Sequence, residues 1–539
     1  MRKNQKLIAI FFALLLTVFQ PLTIFAEEVA EPAETEIVET GFEETTDEIT
    51  EPEQDEPEEE KLGESVFPGL DAEVFSSIED IEENKEELNE HLSDVKEAVP
   101  GEDFVEDEIV VKAPDEETAL LYAEAFGGEL LHFDYGFALI RLDQDALADD
   151  FDAEDSLVKE AVFASADPDA MLPAAWPNYL YELLEDADDP IEETFLEDAD
   201  APEANTYLSN SIYNDPDLDG ASSKYQWQHY LMQTEAAWRA GYTGRGVTVA
   251  VIDTGARADH EDMNIDSNNR YEYNGSTLVQ GSITDEHGHG THCVGSVGAK
   301  SNNGKGGAGI APDATMIAVN ATYSTSRQTL SGDAIVQGIF KATERGADVI
   351  SLSLGGKYYP VDMHEAVEDA YAHGVAVFCA SGNDGSNVVI YPAQFDHAIA
   401  VGAVDRNNKR IDFSNQSAKV RYSGPGVETY APGIKSTSEY VAKSGTSMAT
   451  PCVAGAAALI LSSGKVTGSG PQRVENLLKL MDKCCDKSGV GMGTPNMAKF
   501  FGTAGSTTAP GAPASDYSSG IYQEASLDVR VSSEMKTKL

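Results

Sequence analysis

The sequence predicts an α/β protein: a three-layer domain whose parallel sheet carries helices on both faces, preceded by a small α+β domain. Three observations carry this expectation. Between residues 214 and 503, five short runs rich in Val and Ile, at 248–252, 315–319, 348–352, 375–378 and 398–401, alternate with helix-like stretches. Continuous apolar runs of that length read as strands buried on both faces. Upstream, residues 103–181 show strand-like and helix-like pieces in another order, βαββαβ. The charge divides between the two: residues 27–213 hold 61 acidic and 6 basic side chains, whereas residues 214–539 hold 33 and 27. At 539 residues the chain is long enough for several structural units. Its formal net charge of −58 disfavours nucleic acid as a partner, because like charge repels a phosphate backbone.

Taken in order, Arg2, Lys3 and Lys6 precede an apolar run over 7–19, then Pro21 and the small residue Ala26. This is the layout of a secretory signal peptide over 1–26, cut after Ala26. Gln20, Pro21 and Glu27 interrupt the run and argue against a retained membrane anchor. No later stretch is long and apolar enough to span a bilayer, so a secreted, soluble chain is expected. Residues 27–103 are dominated by Glu with Thr and Pro, a composition that cannot bury enough surface to order itself, although 78–95 could be helical. Residues 104–183 form the small domain: a strand at 108–112, a helix at 115–126, a turn at Gly127-Gly128, strands at 129–133 and 137–142, a second helix, and a last strand near 161–164. An acidic linker over 184–213 follows, where cleavage should concentrate. Residues 214–503 form the large domain, with helices at 332–345 and 361–373, and 504–539 is a Gly-, Ser-, Thr- and Pro-rich tail. The five cysteines, Cys293, Cys379, Cys452, Cys484 and Cys485, are too few and scattered for a disulfide framework and read as packing residues.

Three segments carry chemistry. Strand 249–252 ends on Asp253-Thr254-Gly255, and an acid after a buried strand is costly unless something pairs with it. His289-Gly290-Thr291-His292 opens a helix. Gly445-Thr446-Ser447-Met448-Ala449-Thr450-Pro451 leads into an apolar helix, with Ser447 where free N–H groups favour negative charge and Pro451 expected in the first turn. Singly these read as a turn aspartate, a core histidine and an N-cap. Together they supply a nucleophile, a base and the group that orients the base.

These three motifs, in this order, resemble those of the subtilisin family of serine proteases, and the resemblance extends over about 214–503. It implies that Ser447 attacks a carbonyl, His289 takes its proton, Asp253 orients the imidazole and His292 is structural. Ala380-Ser381-Gly382-Asn383-Asp384-Gly385 matches the family's oxyanion segment, so Asn383 is the expected oxyanion donor. Ser351-Leu352-Ser353-Leu354-Gly355-Gly356 resembles the strand that pairs with extended substrate, giving Ser353, Leu354 and Gly355 as one wall of the P1 pocket. Ala380, Ser381 and Gly382 would form the other wall. Ile390, before Tyr391-Pro392, would lie near the floor and favour Ala, Val or Leu at P1.

The resemblance also implies a structural Ca²⁺ site. Asp262 and Asp215 match ligand positions, Asn302 would offer its amide oxygen, and Lys300, Gly304 and Gly306 would offer carbonyls. Lys300 and Lys305 depart from the pattern by placing positive charge beside it. The small domain resembles the family's propeptide, a chaperone and inhibitor cut off by Ser447, and the long acidic extension and linker are departures that favour a cut between Ala204 and Asp215. The expected protein is a monomeric, self-processing endopeptidase acting on proteins or peptides. An inactive binding module of the same fold is the alternative, disfavoured by the complete set of Asp253, His289, Asn383 and Ser447. A zinc site at His287, His289 and His292 has the wrong spacing, and Gly307-Ala308-Gly309 lacks the later glycine of a nucleotide-binding turn.

Overall fold

The computed structural model describes residues 92, 94–143, 156–166, 172–184, 213–218, 226–324, 329–488 and 490–502. The expected leader and tail lie outside these residues, as do nearly all of the acidic extension and linker.

The small domain runs β1 (Phe104–Lys112), α1 (Glu116–Ala125), β2 (Gly128–Asp134), β3 (Phe137–Leu142), α2 (Leu157–Ser165) and β4 (Ala175–Leu183). Asp115 caps α1 by accepting the Thr118 N–H, and Glu116 and Glu117 complement the helix dipole in its first turn. The strands form an antiparallel sheet in the order β2-β3-β1-β4. Two sequence expectations are corrected. Residues 161–164 are helical, because Val158, Ala161 and Val162 recur at helical spacing and are buried together. The last strand comes later, at β4, where Pro177 and Asn178 had hidden it.

The large domain runs α3 (Trp227–Met232), α4 (Thr234–Arg239), β5 (Thr248–Asp253), β6 (Arg270–Tyr273), β7 (Leu278–Gln280), α5 (His289–Gly298), β8 (Thr315–Asn320), β9 (Thr322–Ser324), β10 (Thr329–Ser331), α6 (Gly332–Glu344), β11 (Val349–Leu352), β12 (Leu354–Gly355), α7 (Val361–Ala372), β13 (Ala376–Ala380), β14 (Ala398–Val404), β15 (Val420–Pro425), β16 (Thr429–Pro432), β17 (Tyr440–Lys443), α8 (Thr446–Ser462) and α9 (Gly470–Cys484). Its main sheet has the order β15-β14-β13-β11-β5-β8-β6-β7, parallel throughout except for β7. All five apolar runs are strands of this sheet. The edge strand β15 went unseen because Arg421, Ser423 and Gly424 break its apolar run.

Side-chain alternation on β5 builds the three layers. Ala250 and Ile252 face one core with Ile335, Ile339 and Ala366 of α6 and α7, while Val249 and Val251 face another with Val294 of α5, Val453 of α8 and Leu477 of α9. Burying a side chain of this size contributes ~1.5–3 kcal/mol.

The first core continues into the small domain, which sits on α6 and α7. Tyr135 stacks on Phe340 at 4.7 Å between ring centroids, and Lys112 pairs with Glu365 at 3.0 Å. Asn178 donates to Glu108 and accepts the N–H of Asp333 in the first turn of α6. Besides Glu108 and Glu365, the carboxyls of Asp333 at the start of α6 and Asp362 at the start of α7 are buried in this contact. Burial raises Asp333 and Asp362 each to about 7.

Candidate active site

Parallel strands bring their carboxyl ends to one edge of the sheet, and β5 delivers Asp253 there. Helices α5 and α8 begin at the same edge with His289 and Ser447. All three side chains are fully buried. The imidazole Nδ1 of His289 lies 2.7 Å from Asp253 Oδ1, which also accepts the Thr254 N–H at 2.7 Å. Burial pulls the His289 pKa down, but the Asp253 carboxylate and the Cys293 sulfur more than offset this and hold it well above the ordinary imidazole value. Cys293, one turn along α5, places its sulfur 3.9 Å from that Nδ1, so a residue read as core packing lies directly behind the pair.

Ser447 Oγ donates to the carbonyl of Ser353 at 2.9 Å, and His289 Nε2 makes no hydrogen bond among the described residues. Ser353 returns the contact, its hydroxyl donating to the Ser447 carbonyl at 2.8 Å. That carbonyl is free because Pro451, four residues on, has no N–H to give it. Pro451 therefore stands inside α8 in its second turn, not in the first, and Ser353 holds the nucleophile's backbone.

Asn383 follows β13. Its Oδ1 accepts the N–H and O–H of Thr446, both at 2.9 Å, which fixes the amide so that Nδ2 points outward from the start of α8. Nδ2 donates to the carbonyl of Leu184 at 2.6 Å. Leu184 follows β4, and β4 lies as an antiparallel strand between β10 and β12: Leu183 is opposite Leu354, Glu182 is opposite both Gly355 and Thr329, and Tyr181 is opposite Leu330. The described segment in the cleft is thus 180–184; nearly all of the 204–215 stretch favoured from sequence lies outside the described residues. Sequence reading missed β10 because three residues, Thr329–Ser331, carry no periodic signal.

Leu354 and Gly355 of β12 pair with Leu183 and Glu182, next to Leu184, and β13 ends at Ala380, with Ser381 and Gly382 following it. Ile390 fills the space between: a side chain on Gly355 would meet Ile390 Cδ1 at 2.2 Å, and one on Gly382 would lie 3.5 Å from it. Gly382 has φ +108°, and a Cβ there would also strike Asn415, whose Oδ1 accepts the N–H groups of Asp384 and Ser386. Asn415 thus supports the Asn383 loop, a role with no sequence signal because it is remote along the chain.

The expected cation loop brings Asp215, Asp262 and residues 300–306 together. Asp215 accepts the N–H groups of Asn302 at 2.5 Å, Asn303 at 2.9 Å and Gly304 at 3.2 Å. Asn302 turns with φ 58°, and the next residue, Asn303, donates its amide N–H to Asp262 at 2.5 Å. Asp262 also accepts from Tyr440, and Gly306 presents its carbonyl to the Asp217 N–H at 2.8 Å. The two lysines turn aside, Lys300 Nζ to the carbonyl and Lys305 Nζ to the carboxylate of Glu261. Burial raises the Asp215 pKa, and the neighbouring Asp262 adds to it. Two buried carboxylates, with both lysine ammoniums directed elsewhere, leave negative charge that a hard divalent cation would balance.

His287, His289 and His292 do not converge, since His292 Nε2 bonds the Thr429 carbonyl at 2.9 Å. Among the described residues the one group of three His, Cys, Asp or Glu side chains with metal-ligating geometry is Asp253, His289 and Cys293, the buried pair with the thiol behind it.

The family model of the subtilase family matches residues 244–480. Subtilisin DY of Bacillus licheniformis is 42% identical over 238 residues, which are 43% of this chain and 82% of that protein. Subtilisin Savinase of Lederbergia lenta is 41% identical over 236 residues, 43% of this chain and 83% of its own length. Thermitase of Thermoactinomyces vulgaris is 37% identical over 265 residues, 49% of this chain and 90% of its own. With four-fifths or more of each of these proteases matched by the domain that carries the Asp253–His289 pair, the chain belongs to the subtilase family of serine endopeptidases.

Proposed function

We propose that this endopeptidase is secreted as a zymogen that cuts itself between Leu184 and Glu185, using Asp253, His289 and Ser447 with Asn383 as oxyanion donor. The observation that carries the reading is the 2.6 Å contact between the Asn383 amide and the Leu184 carbonyl, at the end of a strand paired on both sides. Ser447 Oγ turns from the Ser353 carbonyl toward His289 Nε2, loses its proton there and attacks the Leu184 carbonyl carbon. The oxyanion is held by Asn383 Nδ2 and by the Ser447 N–H, one of the donors left free at the start of α8. His289 then protonates the leaving amine of Glu185, and water releases the acyl group by the same path in reverse. Asp253 keeps the Nδ1–H in place and stabilises the imidazolium. Protein substrates add as the same middle strand, with main-chain bonds that ignore side-chain identity. After the cut, β4 stays in the cleft and the small domain inhibits the enzyme.

Asp215, Asp262 and Asn302 would hold Ca²⁺, which supplies charge balance and a fixed loop, not chemistry. Secretion rests on the leader over 1–26; among the described residues no helix is long and apolar enough to cross a membrane. The test is the intact mass of the precursor beside its Ser447→Ala variant. The reading expects a new N-terminus at Glu185 in the parent and an uncut variant. A parent that stays whole, or a first cut near 204–215, would overturn it.

A further inference from the structure

We infer that Asp285 is a positioning residue that keeps Asp253 and His289 in register, acting through Thr254 and the first turn of α5. This rests on the roles given above to Asp253 and His289. Asp285 Oδ1 accepts the Thr254 hydroxyl at 3.0 Å and the N–H groups of His287 at 3.0 Å and Gly288 at 2.7 Å. Its Oδ2 accepts the N–H of Thr291 at 2.8 Å and its hydroxyl at 2.6 Å. One carboxylate thus gathers five donors from three places: the residue after Asp253, the two residues before His289, and the second residue after it.

The bonds close a ring. Thr254 Oγ1, while donating to Asp285, accepts the N–H of Gly290 at 2.8 Å. The path therefore runs from Asp253 to Thr254, across to Asp285 or Gly290, on to His289, and back through the 2.7 Å Nδ1 contact to Asp253. The helix needs these outside groups, because its N-cap is Gly288, which has no side chain to offer the first-turn N–H groups. Gly290 and Thr291 are served by Thr254 and Asp285 instead. Backbone packing tightens the ring further: a Cβ on Gly255 would lie 1.9 Å from the Thr284 carbonyl oxygen, and one on Gly290 would lie 2.3 Å from that of Gly255. With only glycine admitted at both crossings, the end of β5 and the start of α5 touch main chain to main chain, and Asp285 is the side chain that fastens them.

A structural cap and a positioning residue predict different kinetics. The mature enzyme would be compared with Asp285→Ala, Asp285→Asn, Thr254→Ala and Thr254→Ser on a chromogenic peptide ending in Leu. The inference expects Asp285→Ala and Thr254→Ala each to lower kcat about 10- to 100-fold, since small misplacements of reacting groups cost that much, while KM changes little. The acid limb of kcat/KM should move to lower pH in both, because a loosened Asp253 stabilises the imidazolium less. Thr254→Ser should restore most of the loss, and the double alanine variant should lose less than the product of the two single losses. Should Asp285→Ala fail to fold, Asp285→Asn, which keeps the Oδ1 acceptor, and Thr254→Ala carry the same comparison. A lowered Tm with kcat and the acid limb unchanged would overturn the inference and leave Asp285 a cap. A parent enzyme with no Ser447-dependent activity would instead overturn the assignment of the site, and this inference with it.

Discussion

The side-chain amide of Asn383 and the main-chain carbonyl of Leu184 are hydrogen-bonded at 2.6 Å, so the chain presents one of its own peptide groups to the proposed oxyanion donor. Thr446 fixes the amide from behind through two bonds to Oδ1. Such a donor is aimed before the reaction begins and costs no reorganisation when charge develops.

Asn383→Ala should therefore lower kcat by about 100- to 1000-fold and leave KM close to the parent value. Steady-state kinetics on a peptide anilide checks this. The precursor of the same variant should process itself more slowly by a similar factor.

Ile390 should set how much fits at P1. Its Cδ1 occupies the space that a side chain on Gly355 would enter and lies within van der Waals reach of one on Gly382, so the parent should prefer Leu, the residue its own cleft holds. Ile390→Ala should raise the preference for Phe over Leu by roughly 10-fold or more, on the scale of a few methylene groups in an apolar pocket. Cleavage profiling of a peptide library reads the change.

Burial alone would lower the His289 pKa, but the Asp253 carboxylate and the Cys293 sulfur together more than offset it and hold the group above its ordinary value. Catalysis needs the neutral ring, and a raised pKa delays that form to higher pH. The acid limb of kcat/KM should accordingly have its midpoint above about 6.5, and Asp253→Asn should abolish most activity at any pH.

Release of the small domain should be faster at higher pH. Asp333 and Asp362 are raised to about 7 in the contact, so the complex binds more protons than its separated parts. Affinity should fall as pH climbs from the ordinary carboxyl range to about 7, then level off. Dissociation of the cleaved complex, followed by the onset of activity between pH 5 and 8, measures this. Asp333→Asn with Asp362→Asn should flatten it.

Calcium should stabilise the folded enzyme. At about 100 times its Kd a ligand adds about 2.7 kcal/mol, which for a domain of this size is roughly 5–10 °C in Tm. Chelation should remove that increment, and Asp262→Asn should make Tm indifferent to chelator. Thermal unfolding of the Ser447→Ala protein, which cannot digest itself, gives the reading.

The sequence alone determined the layered α/β domain, because runs such as Val249-Ala250-Val251-Ile252 are apolar on both faces and can only be buried strands. It also singled out Asp253, His289, Asn383 and Ser447 as the candidates for chemistry, because each sits in a distinctive local run. Tertiary structure decided what no local run encodes. Leu184 reaches Asn383 only because β4 crosses from its own sheet to pair with β10 and β12, elements of two or three residues. The 300–306 loop turns through the left-handed Asn302 and sends the Asn303 amide N–H to Asp262, a choice that the two adjacent asparagines do not reveal. Asn415 and Asp285 act by accepting main-chain N–H groups, and an acceptor's partners depend on where the backbone passes, not on which residues flank it along the chain. Strands and motifs are local and legible in sequence; the pairing of distant segments that makes a cleft is a property of the packed chain.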